Sequence, residues 1–354
     1  MSEAAAEAVL AAAFRPPRAH GAPVAEAVMR ASAEDFVVEE ELGFAPAGSG
    51  AHLLLRVRKR DANTPWVARE LARLAGCRPH DVGYAGLKDR RALAIQWFSV
   101  PRPRTSVDLA AARGEGFEVL EAHPHARKLP RGALAGNRFT VRLRAQAGDG
   151  RQLAERLRSR LAAVAARGVP NYFGPQRFGR SGGNLRGETE ELARLPATER
   201  GLRLSAARSV VFNALLAARV EDGSWERLLG GDLAGLDGRG SIFPVEAPDE
   251  TLAGRCARLE IHPTGPLWGA GEPRSGALVR ELEMRIGASL EAQCALCAAA
   301  GMAQERRSLR VRVVELECRA EPVAVTLRFR LTRGSFATAV LRELVEAAPD
   351  AADD

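Results

Sequence analysis

Residues 81–101 read Asp81-Val82-Gly83-Tyr84-Ala85-Gly86-Leu87-Lys88-Asp89-Arg90-Arg91-Ala92-Leu93-Ala94-Ile95-Gln96-Trp97-Phe98-Ser99-Val100-Pro101. A short strand over 81–85 runs into a charged loop, 86–91, and a second strand over 95–100 is closed by Pro101. Working outward, 35–42 and 52–58 also read as strands, the latter with apolar alternation at Leu53, Leu55 and Val57. Residues 138–144 alternate strictly, which gives that strand one polar, basic face. Asn63-Thr64-Pro65 opens a helix whose apolar spacing at Val67, Leu71 and Leu74 lasts to about Gly76. Another helix covers about 149–167, stopped by Gly168 and Pro170. From Asn171 to about Ser308 helical stretches at 205–220 and 277–300 alternate with Gly- and Pro-rich connections, 229–240 and 262–275. Strands return over 309–319 and 323–331, before a last helix over 336–347. The chain therefore reads as an α+β protein. A strand-rich domain, 1–170 and 309–354, is split by a mostly helical insertion, 171–308.

The 354 residues are 46% apolar and 27% charged, room for two domains with real cores. No apolar run approaches the ~20 residues that span a bilayer. The alanine-rich start carries Glu3 and Glu7 and no basic segment, so it reads as a helical extension and not as a signal peptide. Five cysteines, an odd and scattered set, argue for a reducing compartment, the cytoplasm. Cys294 and Cys297 sit in a helical stretch without a second pair and are expected in the core. The net charge of +7 is unevenly spread: residues 51–145 hold 19 Lys+Arg against 8 Asp+Glu, so the remainder is weakly acidic. A basic segment of that kind suits a polyanion such as nucleic acid. Lys59, Lys88 and Lys128 are the only lysines among many arginines. A tight site can require one cation and refuse the other.

Several chemistries are excluded. No phosphate-binding GxxxxGK[ST] occurs, and Gly269-Ala270-Gly271 lacks the third glycine of a dinucleotide fold. There is no HExxH, and His123 and His125 flank Pro124 in what reads as an exposed loop. What remains is Asp89 among Lys88, Arg90 and Arg91. Such an aspartate either braces a turn or pairs with arginine, or stays ionised among cations as nucleophile or base.

Gly83-Tyr84-Ala85-Gly86-Leu87-Lys88-Asp89-Arg90 resembles the catalytic motif of the TruD family of tRNA pseudouridine synthases. Glu34-Asp35-Phe36-Val37-Val38-Glu39-Glu40, Lys128-Leu129-Pro130-Arg131-Gly132, Gly136-Asn137-Arg138-Phe139-Thr140, Val169 to Gly179, Ser205 to Ser209 and Gly334-Ser335-Phe336-Ala337-Thr338 resemble further family motifs, in family order. The resemblance implies a pseudouridine synthase catalytic domain with a mixed, largely antiparallel sheet and a family-specific insertion. It implies uridine thirteen of certain tRNAs as substrate, tRNA as partner, Asp89 as catalytic aspartate, and no cofactor, metal or membrane. A monomer is expected. Phe36, Asn137 and Phe336 fall at positions the family uses around the base; Phe139 is a further stacking candidate, and Lys88 a phosphate anchor or counter-charge. Arg30 stands where relatives can carry lysine, as counter-charge to Asp89, and Leu87 is expected only to pack. The aspartate would either attack the sugar covalently or abstract a ribose proton to give a glycal, and the two remain open. The rival is a tRNA-binding protein that keeps the scaffold without the chemistry.

Overall fold

The computed structural model describes residues 3–102, 108–146, 149–186, 192 and 194–348, without the side chains of 3–5. The described residues fall into two compact units. One is drawn from the described residues of 24–161, 313–334 and 344–348, the other from those of 3–23, 162–312 and 335–343. The N-terminal segment and 335–343 thus group with the central stretch, which differs from the division drawn on the sequence. Residues 1–2, 103–107, 147–148 and 349–354 of the expected first domain lie outside the described residues.

The first unit is built on a sheet that has eleven strands among the described residues. They are β1 (Glu26–Met29), β2 (Phe36–Glu41), β3 (His52–Arg60), β4 (Gly83–Tyr84), β5 (Leu93–Pro101), β6 (Arg113–Gly114), β7 (Phe117–His125), β8 (Gly136–Ala145), β9 (Val314–Ala320), β10 (Ala324–Thr332) and β11 (Glu346–Ala347). The central order is β9-β10-β8-β2-β5-β3-β7-β6, with β4 on β5 and β1 between β8 and β11. The β2–β5 and β1–β11 pairs are parallel and the others antiparallel. The sheet is therefore mixed and largely antiparallel, as expected.

Register decides which side chains meet. Phe36 lies opposite Val141, Val38 opposite Phe139, and Glu40 opposite Asn137. Alternate residues share a face, so Phe36, Val38, Glu40, Asn137 and Phe139 line one side of the β2–β8 pair. Burial follows the same period: Phe36, Val38 and Glu40 are buried, and the residues between them are half-buried. The helix Thr64–Ala75 places Val67 and Leu71 against Leu55, Val57, Phe98 and Val100. Gly76 ends it at φ +65, a conformation that costs glycine nothing sterically. Truncating fully buried Leu71 to alanine is expected to cost about 2–5 kcal/mol.

The second unit packs the helices Glu3–Phe14, Ala197–Glu221, Ala277–Ser289 and Glu291–Ala299 around a core that includes Tyr172, Phe178, Phe212 and Trp225. It also holds a four-stranded sheet, Ile242–Pro244, Leu233–Leu236, Ile261–Leu267 and Glu305–Ser308, in stretches read from the sequence largely as connections. One of the glycines that suggested loops is there for close packing: a Cβ at Gly265 would stand 2.9 Å from both the Leu215 and Leu309 side chains. The expected helix over 277–300 is broken at Leu290, which turns inward and is buried. The expected strand over 309–319 is two pieces, Arg310–Val311 and β9, and Glu315 at φ +53 marks the irregular start of the second. The last helix stops at Leu344, and β11 follows it.

Candidate active site

The loop between β4 and β5 is tied down residue by residue. Gly132 N donates to Ala85 O at 2.7 Å, and Gln96 Nε2 donates to Gly86 O at 2.7 Å. Lys88 N donates to Thr64 Oγ1 at 3.1 Å, and that hydroxyl donates to Gln96 Oε1 at 3.0 Å. Lys59, fully buried near the end of β3, donates from Nζ to Ala62 O and Asp89 O, both at 2.8 Å, with Lys88 O at 3.5 Å. Three carbonyls around one point suit a compact ammonium better than a planar guanidinium. Burial pushes the Lys59 amine down to about 8, while the Asp89 charge nearby acts in the opposite direction.

These ties fix the backbone of Asp89 and leave its side chain open. The carboxylate is 51% exposed. Its Oδ2 accepts from Arg30 Nη2 at 2.9 Å, while Oδ1 has no partner among the described residues. Arg30 also lies over the Phe36 ring, 4.2 Å from its centre, a cation–π contact. Its backbone sits at φ +61, unusual for a non-glycine residue. Phe36 meets Phe139 edge-on at 6.1 Å, and Phe139 stacks on Phe329 at 5.4 Å. Both Phe36 and Phe139 are largely buried, so each is also part of the core.

Lys88 points elsewhere. Its ammonium lies 2.7 Å from Oε1 of fully buried Glu40, whose Oε2 accepts from Trp97 N at 2.9 Å. Lys88 is therefore committed to bracing the loop and is not presented as a phosphate anchor. Asn137, across the strand pair from Glu40, is buried, and its Oδ1 has no hydrogen-bond partner among the described residues. A buried amide oxygen without a donor costs about 1–3 kcal/mol and calls for something to fill it.

Asp89, Arg30, Phe36, Asn137, Phe139 and Lys88 thus belong to one unit. Phe336 belongs to the other, 6.0 Å from Phe173 and 5.7 Å from the Arg307 guanidinium. Leu87 does not pack as expected: it is 67% exposed. Sequence reading left out Lys59 and Glu40. The scarcity of lysine was the usable signal for the first, since two of the three lysines hold this loop. Cys294 and Cys297 lie buried in their helix, with burial pushing their thiols up to about 12 and about 11. His123 bonds Glu121 and His125 stacks on Phe44. Among the described residues no cluster of three metal-ligating side chains occurs, and no helix is long and apolar enough to cross a membrane.

The sheet and the carboxylate loop it carries define a class that comparison makes specific. The family model described as tRNA pseudouridine synthase D (TruD) matches residues 19–191 and 184–344. The tRNA pseudouridine synthase D of Pseudomonas aeruginosa strain LESB58 is 48% identical over 340 residues, 94% of each chain. That of Methylococcus capsulatus is 46% identical over 343 residues, 94% of this chain and 95% of the relative. In fold, the chain is similar to the crystal structure of a putative tRNA pseudouridine synthase D from Methanosarcina mazei. The TM-score is 0.73 at 19% identity, covering 96% of this chain and 98% of that one. The chain therefore belongs to the TruD family of tRNA pseudouridine synthases, and it is an enzyme of that class.

Proposed function

We propose that this enzyme converts uridine thirteen of tRNA to pseudouridine, with Asp89 as the catalytic carboxylate. The observation that carries the reading is the combination at Asp89: a rigidly held backbone, one oxygen restrained by Arg30, and the other oxygen free and accessible. In the reaction the N1–C1′ bond breaks, the uracil turns, C5 bonds to C1′, N1 takes up a proton and the C5 proton leaves to solvent. The free Asp89 oxygen serves either as nucleophile at C1′ or as base toward the ribose 2′ proton. The target base must leave its stack to reach a pocket. The unpartnered Asn137 oxygen is an acceptor for the uracil N3–H. Phe139, two residues from Asn137 on the same strand face, and Phe36, edge-on to Phe139 and capped by Arg30, are assigned as apolar surface toward the base.

The test is release of tritium from tRNA labelled at C5 of uridine. The reading expects release that is lost in Asp89→Asn with tRNA binding retained. Release that survives in Asp89→Asn removes Asp89 from the chemistry. Binding without release by the unaltered protein, on every tRNA tried, makes it a binding protein instead.

A further inference from the structure

Leu87 has no role in that reading, yet its placement is not loose. It is a large apolar side chain, 67% exposed, two residues before Asp89. The backbone on both sides is fixed: Ala85 O by Gly132 N, Gly86 O by Gln96, Lys88 N by Thr64, and Asp89 O by Lys59. Single exposed leucines are common, but this one stands on a rigid support two residues from the reactive carboxylate and at the edge of a cavity, where it can cover a flat apolar partner.

Beside it is a cavity of about 950 Å³, bordered by Leu87, Trp66, Arg60, Arg69 and Arg90. Arg60 is already paired with Glu34 at 2.7 Å. Arg69 makes no ion pair or hydrogen bond among the described residues, and Arg90 uses only Nε, on Asp61 O at 3.3 Å. Asp61 and Glu115 also border the space, so anions are expected at Arg69 and Arg90 and not throughout. Asp89 does not line this cavity, so it is not where the target sugar reacts.

Extruding a base leaves a gap in the stack and uncovers the face of its neighbour. Apolar side chains are the usual wedges for such gaps. We propose that Leu87 covers the base next to the extruded uridine, and that the cavity holds this flanking nucleotide with its phosphates on Arg69 and Arg90. The inference rests on the base-extruding reading of the enzyme above.

The experiment uses a full-length tRNA transcript tritiated at C5 of uridine, a single-turnover assay, and binding measured over a series of salt concentrations. Leu87→Ala is expected to slow the single turnover about tenfold with little change in affinity, and Leu87→Met to restore it. On a transcript made abasic at the flanking nucleotide, Leu87→Ala and the unaltered protein should react alike. The Arg69→Ala/Arg90→Ala pair is expected to weaken binding about tenfold and to lower the slope of log affinity against log salt by about 1.5, close to two phosphate contacts. Leu87→Ala reacting at the unaltered rate on the intact transcript overturns the wedge, and an unchanged salt slope overturns the phosphate contacts. The slope is read from binding alone, so a protein that binds tRNA but releases no tritium refutes the proposed function and still decides the phosphate contacts.

Discussion

Two aspartates of the same unit are each paired with an arginine, and they differ in everything else. Asp35 is buried. Its two oxygens accept from Arg144 Nη2 at 2.9 Å and Nε at 3.0 Å, and Oδ2 also accepts from Ser32 N at 3.0 Å. Asp89 is half-exposed, holds one arginine by one oxygen, and has acceptor capacity to spare. An arginine partner therefore does not separate a brace from a reactive group. What separates them is how many lone pairs are already used and whether the remainder can be reached.

The widest gap between the two should come from matched substitutions. Asp89→Asn keeps shape and removes the anion; tritium release is expected to fall by about 10²–10⁴-fold or more, with stability hardly changed. Asp35→Asn should do the reverse, costing about 1–3 kcal/mol in urea unfolding through the lost charge-assisted bonds, with single-turnover release within a few-fold of normal. Equal activity losses at the two positions would erase the distinction. Next in size is Lys59→Met, which keeps the stem and leaves the carbonyls of Ala62 and Asp89 without their donor. Since a misplacement of about 1 Å can cost about 10²-fold, a loss of that order in the single-turnover rate is expected, with tRNA affinity unchanged.

The same lysine gives a pH test whose sign is fixed. Its folded value, about 8, lies below the ordinary 10.5. Below pH 8 both folded and unfolded chains carry the proton, and the fold bears the cost of a buried charge. Between about 8 and 10.5 only the unfolded chain keeps it, so this group makes the fold more stable as pH rises. Activity should move the opposite way, because deprotonation removes the charge that holds the Asp89 carbonyl. A rate that falls several-fold with a midpoint near 8, while urea stability does not fall, sharpens the assignment. Parallel loss of both points to general unfolding.

Local signals explain what could be read beforehand. Strict alternation over 138–144 marked β8, because one face of that strand is buried and the other is not. The cap, proline and terminal glycine marked Thr64–Ala75. Asp89 stood out as a carboxylate among cations. Its contrast with Asp35 was invisible, since Arg144 and Arg30 lie 109 and 59 residues from their partners and only the sheet register brings them in. Lys59 was half legible: its rarity among the arginines marked it, and only its burial reveals the use of its three protons. The strands at Leu233–Leu236 and Ile261–Leu267 were missed because their glycines and prolines are loop residues by local preference, and tertiary packing overrode that preference.

The smallest expected effect probes the arginines themselves. Arg30 makes one bond to Asp89 and sets its guanidinium carbon 4.2 Å from the Phe36 ring centre, whereas Arg144 grips Asp35 with two nitrogens. Arg30→Lys keeps the charge beside Asp89 and gives up part of the ring contact, which is worth about 0.5–1 kcal/mol. The single-turnover rate should therefore fall only about two- to five-fold. Arg144→Lys should leave the rate alone and lower stability, because an ammonium cannot reproduce a forked pair of bonds. If Arg30→Lys instead costs a hundred-fold, then the plane of the guanidinium sets the position of the Asp89 oxygen. The open pair would in that case be as geometrically demanding as the closed one.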